Sequence, residues 1–208
     1  MTWADVGEVV KMLGATATAG AAWFAAYTAF RGLEKWRAET IGKRKAELAE
    51  DVLADFYQAR DIINAARSSG GFVNEGRTRE REDWESEDDT RILNAYYRTS
   101  ERLASKADFF AQLYARHYRF IAIFGKNAAK PYNDLLALRS EILIAVRMLI
   151  TSYRHRERPG LQDNIERWEA KIGWGLSDDD PYAHVSTKPC KQLRIYVGRR
   201  LEKWPPEL

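Results

Sequence analysis

Three arginines alternate with other residues in Gly76-Arg77-Thr78-Arg79-Glu80-Arg81, beside further glycines at Gly70 and Gly71. A guanidinium is a rigid fork of donors, so Arg77, Arg79 and Arg81 are suited to grip a phosphate or carboxylate. The GxxxxGK[ST] spacing of a phosphate-binding P-loop is absent, as is its lysine. An acidic run follows at once: Glu80, Glu82, Asp83, Glu85, Glu87, Asp88 and Asp89. The arginines therefore have two readings: ligands for an outside anion, or partners of their own loop's acids. The acidic run and Asp178-Asp179-Asp180 both lack the calcium-loop pattern D-x-[DN]-x-[DN]-G. Asp180 before Pro181 reads instead as a helix cap.

Other reactive side chains are scattered. His117, His155 and His184 stand in different elements, with no HExxH pair and no metal-ligand spacing to Cys190. His117 falls on an apolar stripe and reads as a hydrogen-bonded core histidine. Cys190, the sole cysteine, lies in a basic stretch that would lower its pKa. A GxSxG nucleophile elbow is absent. The Arg-His pairing of HEPN ribonucleases, with four to six residues between, is not met by Arg147 and His155, which have seven between them. No catalytic residue, metal site or cofactor is expected.

The elements that must position these residues are helical. Leu48, Val52, Phe56, Ala59, Ile63 and Ala66 recur at steps of three and four, and no Gly or Pro lies between Lys43 and Arg67. Residues 68–89 form a polar loop. A second long helix is expected from Asp89 or Thr90 to Gly125, with the stripe Ile92, Tyr96, Leu103, Ala107, Phe110, Tyr114, His117, Ile121 and Phe124. This coiled-coil-like periodicity predicts shallow packing. A third runs from Asn127 to Arg154 on Leu135, Leu138, Ile142, Ala145, Leu149 and Tyr153. A shorter helix spans Leu161 to Ile172, and a last one starts near Thr187 as cap. No segment alternates with the period of a strand. The fold class is all-α.

Met12 to Phe30 carries no charge. As a helix it would reach about 28 Å, close to the thickness of a bilayer's hydrocarbon core. Trp23, Tyr27 and Phe30 gather at its C-terminal end, and Arg31, Lys35, Trp36, Arg37, Lys43, Arg44 and Lys45 follow. Aromatic residues favour the lipid interface, and basic flanks mark the cytoplasmic side. Residues 1–31 therefore read as a transmembrane anchor with a periplasmic N-terminus, and 32–208 as a cytoplasmic antiparallel helical bundle. Trp23, Tyr27, Arg31, Lys35, Trp36 and Arg37 are the expected interface residues. The run is rich in Ala, Gly and Thr, which makes it marginal for insertion; a helix of a soluble bundle is the alternative.

The chain has 208 residues and a net charge of +3, so overall charge does not call for nucleic acid. One cysteine permits no internal disulfide, which suits a reducing compartment. Seven Trp and ten Tyr imply a packed core. A basic C-terminal helix, with Lys188, Lys191, Arg194 and Arg199, would add to a basic surface near anionic lipid.

From Lys43 to Arg81 the chain reads Lys-Arg-Lys-Ala-Glu-Leu-Ala-Glu-Asp-Val-Leu-Ala-Asp-Phe-Tyr-Gln-Ala-Arg-Asp-Ile-Ile, then Ser-Ser-Gly-Gly-Phe and Glu-Gly-Arg-Thr-Arg. These segments resemble a group of uncharacterised bacterial proteins with one N-terminal membrane span and a helical cytoplasmic domain. The resemblance implies a bacterial inner-membrane location and no particular activity. The expected role is a scaffold or accessory subunit that meets membrane lipids and a protein partner or a second copy. The alternative is a membrane-associated sensor or effector, in stress or phage defence, that binds an anionic ligand through Arg77, Arg79 and Arg81.

Overall fold

The computed structural model describes residues 3–68, 70–72, 74–173 and 187–202, and every regular element among them is a helix. These are α1 (Trp3–Ala66), α2 (Glu87–Ala104), α3 (Ala107–Phe124), α4 (Ala129–Ser152), α5 (Gln162–Ile172) and α6 (Thr187–Glu202). Short 3-10 turns flank α4 at Lys126–Ala128 and Tyr153–His155. Asp178–Asp180, Pro181 and His184 lie outside the described residues. The chain divides into two units, one spanning Leu48–Lys203 and the other built on Met1–Glu47.

In the larger unit the expected stripe of α1 is buried throughout, from Leu48 to Ala66. Phe56 meets Tyr132 of α4 edge to face at 4.8 Å, a geometry that ring quadrupoles favour. The stripe of α4 is likewise buried at Leu135, Leu138, Ile142, Ala145 and Leu149. This helix touches α2, α3, α5 and α6 and so organises the bundle. Leu193, Val197 and Cys190 of α6 close one side, with the Cys190 Sγ 3.4 Å from the Phe56 carbonyl. Burial pushes the Cys190 thiol up, opposite to the lowering that its basic neighbours suggest. The hydroxyl of Tyr96 donates to Glu169 at 2.5 Å and ties α2 to α5.

The long second helix is two helices. Ser105 ends α2: its N–H donates to the Glu101 carbonyl at 2.9 Å and its hydroxyl to that of Arg102 at 2.8 Å. The chain restarts at Ala107, and the buried face becomes Leu93, Tyr96, Thr99 and Leu103, then Phe110, Leu113, His117, Phe120 and Phe124. Ala107 and Tyr114, expected inside, are exposed. A hydroxyl that competes for backbone carbonyls is a local event that apolar periodicity does not register. The start of α2 also moves, to Glu87, because Ser86 and Asp89 form a reciprocal capping box.

In the N-terminal unit, the uncharged run is helical as expected. Its side chains are exposed wherever they are described from Gly14 to Arg37. The side chains of Met12, Leu13, Ala15, Ala17 and Ala19 lie outside the described set. Among the described residues no helix is long and apolar enough to cross a membrane. Over the described residues the expected span is helical, as the sequence predicts.

Phe56→Ala should lower stability to chemical denaturation by about 3–5 kcal/mol, through lost burial and the cavity left behind. Phe30→Ala, at a position 61 % exposed, should change it by less than about 0.5 kcal/mol.

Candidate functional site

The loop between α1 and α2 is folded down on α2. Glu101 accepts from the Gly76 N–H at 2.5 Å and the Thr78 hydroxyl at 2.6 Å. Gly76 has φ +81°, and a Cβ there would lie 2.0 Å from the Asn94 carbonyl oxygen. Glycine is required on both counts. Arg102 holds the start of the loop. It donates to the carbonyls of Ala65, Ser68 and Gly70 and pairs with both oxygens of Glu75. Those bonds keep the Glu75 carboxyl below the usual range.

Arg79 and Glu85 form a bidentate pair at 2.7 and 2.5 Å. The Glu85 side chain is fully buried and that of Arg79 nearly so. Glu85 also accepts from the Glu82 N–H at 3.0 Å and the Thr90 hydroxyl at 3.1 Å. Arg79, the largest influence, together with these donors holds its carboxyl at about 2 despite burial. Arg79 is thus partnered within its own loop. Arg81 donates to the Glu85 carbonyl at 2.7 Å and is otherwise exposed. Arg77 is exposed and makes no hydrogen bond or ion pair among the described residues.

The three arginines share a cleft of about 650 Å³ with two that the sequence pattern did not single out, Arg91 and Arg98 of α2. Arg91, Asn94 and Arg98 follow one another at steps of three and four, so they share a face of α2. That spacing is legible in the sequence once the loop is known to lie over it. Arg98 passes close over Gly71, where a Cβ would lie 2.0 Å from its guanidinium. Burial, and then the neighbouring charge of Arg102, push the Arg98 pKa down. Two carboxylates, Glu75 and Glu87, also line the cleft. The acidic run has become structure: Glu85 holds Arg79, Asp89 caps α2, and Asp88 pairs with Arg91 on the surface at 3.0 Å. Among the described residues no group of three or more His, Cys, Asp or Glu is placed to hold a metal ion.

His117 is buried, as its place on the stripe predicts. It is not hydrogen-bonded: both ring nitrogens and the hydroxyl of neighbouring Tyr132 lack partners among the described residues. Its ring lies 4.8 Å from that of Tyr132, and burial depresses its pKa. His155 is exposed at the end of α4.

The expected interface residues occupy α1 of the N-terminal unit. Trp23 stacks parallel on Tyr27 at 6.2 Å, and the Arg31 guanidinium lies over the Tyr27 ring at 5.3 Å. Lys35 continues this column one turn on and stands 4.0 Å from Glu39. Trp36 is 61 % exposed, and Arg37 is exposed beside it. The hydroxyls of Thr18 and Thr28 donate to the carbonyls of Gly14 and Phe24 at 2.7 and 3.0 Å, so their polar groups are satisfied within the helix.

Arg79→Ala should cost about 3–5 kcal/mol, because it leaves Glu85 buried and unpaired. The pH dependence has a definite sign. The folded value of Glu85 lies below the ordinary 4.5, so its contribution is complete above 4.5 and is lost as pH falls from there through about 2. Thermal unfolding between pH 7 and pH 2.5 should show this loss. In Glu85→Gln the part of the decline that belongs to this carboxyl should vanish.

No protein-family model matches this sequence, and no curated protein or solved structure shows significant similarity to it.

Proposed function

We propose that this chain is an inner-membrane protein of a bacterium, anchored by the N-terminal part of α1, whose helical bundle serves on the cytoplasmic side as a scaffold or accessory subunit of a larger assembly. The observation that carries the reading is the exposure of large aromatic side chains along one short length of helix. Trp23 is 76 % exposed, Phe24 67 %, Phe30 61 % and Trp36 61 %. Removing one such side chain from water stabilises by roughly 1.5–3 kcal/mol, so a surface for them is strongly favoured.

Lipid suits the chemistry of this surface better than water. The threonine hydroxyls bond back to their own helix, which is how polar side chains are accommodated in a medium without donors. The column of Trp23, Tyr27 and Arg31 has the order expected where hydrocarbon gives way to headgroups, with the cation outermost. Val9, Val10, Met12 and Leu13 would extend the apolar length upstream. On the bundle, Tyr118, Ile144 and Ile195 are each more than half exposed, which leaves apolar side chains open to a protein partner or a second copy.

The test is membrane fractionation of the expressed chain with an alkaline carbonate wash. The chain should stay in the pellet. Ala21→Arg with Ala25→Arg should release it, since an arginine near the middle of a span costs about 2.5–3.5 kcal/mol on insertion scales. A wild-type chain found in the supernatant would sink the reading and assign Trp23, Phe24, Phe30 and Trp36 to a protein interface.

A further inference from the structure

The arginine cleft over α2 has more positive charge than its surroundings neutralise. Arg79 is matched by buried Glu85, and Glu75 is matched by Arg102. Arg77, Arg81 and Arg91 then face the cleft against the single carboxylate of Glu87. The Arg91–Asp88 pair on the rim is 79 % and 81 % exposed, and such pairs are weak. Three guanidinium groups gathered on one cleft repel one another unless an anion joins them.

The arrangement is also held in place before any ligand arrives. The Arg79–Glu85 pair, the two bonds to Glu101 and the close seat of Gly76 on Asn94 fix the loop on a helix. A preordered set of donors loses little freedom on binding. The geometry points to this cleft as a binding site for a compact anion carrying two or more phosphate groups. Arg77 and Arg91 clamp it from the loop and the helix, and Arg98 forms the floor.

The lining residues limit the ligand's class. Guanidinium forks match phosphate oxygens in bidentate fashion. No aromatic ring lines the cleft among the described residues, so nothing there stacks on a nucleobase. Recognition is therefore of the phosphates rather than of a base. A volume of about 650 Å³ lies within the ordinary range for small-molecule sites. This site belongs wholly to the helical bundle, so it does not depend on the membrane anchor proposed above. The same phosphate chemistry is offered by a free diphosphate and by an anionic lipid headgroup, and the cleft is assigned to the free anion.

The experiment is calorimetric titration of the full chain in dodecyl maltoside with sodium pyrophosphate, at constant ionic strength. Saturable binding with a Kd below 1 mM is expected, roughly ten-fold or more tighter than for monophosphate or sulfate. Arg77→Ala with Arg91→Ala removes two exposed side chains and should weaken pyrophosphate at least ten-fold while the helical circular dichroism is unchanged. Absence of saturable heat would overturn the proposal, and so would a double variant that binds as the wild type does. A parallel arm replaces pyrophosphate by nanodiscs containing phosphatidylglycerol. Arginine-dependent binding to those discs, tighter than to pyrophosphate, would also overturn it and give the site to lipid.

Discussion

A helix that stops leaves its last carbonyls without partners, and the end of α1 sits against the bundle where water cannot easily serve them. Arginines serve such carbonyls at two helix ends, those of α1 and α5. Arg102 reaches across from α2 to the carbonyls of Ala65, Ser68 and Gly70, which turns the chain and delivers the loop onto α2. Arg67 is nearly fully buried and donates to the carbonyls of Lys171 and Ala170 at the end of α5, at 2.8 and 3.1 Å. Gly173 then takes φ +76°, with its Cα so near the Arg67 carbonyl that a Cβ would lie 2.1 Å away. One helix end thus fixes the exit of α1, the seat of the arginine loop and the stop of α5. Charged donors suit this task, because hydrogen bonds to charged groups are worth about 1.5–3 kcal/mol each, more than neutral ones.

The same economy explains why the described part of the loop is ordered although it holds neither helix nor strand. Loops of this length without regular structure are usually mobile or functional. Here the backbone is satisfied by side chains of fixed geometry. Glu101 takes the Gly76 N–H, Glu85 takes that of Glu82, and Arg79 spends its fork on Glu85. Burying that pair costs desolvation at both ends, which good geometry and the extra donors of Thr90 and Glu82 offset. The arginines not spent in this way are left on one side of the loop, which gives the cleft its excess of positive charge.

Much of the fold was legible in the residues. The stripes of α1 and α4 are apolar at helical spacing, and both are buried as that spacing requires. The break at Ser105 was not legible, because an apolar stripe can run across an interruption that shifts its phase by one residue. The site was legible in part. The cluster of Arg77, Arg79 and Arg81 is local, and so is its acidic counterpart. Which arginine would be taken by which acid is decided by a long-range event, the docking of the loop through Glu101 and Arg102. Arg91 and Arg98 escaped for the same reason. On an isolated helix they are an ordinary charged face, and only the loop lying over them makes that face the wall of a cleft.

The N-terminal helix follows a different logic from the bundle. Its alanines and glycines give the backbone little apolar cover, so in the proposed anchor the free energy of leaving water would rest on Trp23, Phe24, Tyr27 and Phe30 and on the apolar residues upstream. Such a helix gains less from lipid than one of leucine, yet small side chains let a second helix approach closely, where dispersion and backbone contact replace hydrophobicity as the driving force. Ala22 and Ala26 lie one turn apart and are both exposed. In the proposed reading, a marginal anchor of this kind would become secure in company, by pairing with another helix in the bilayer. Dependence on an assembly would then be built into the proposed anchor itself, which agrees with the proposed role of an accessory subunit.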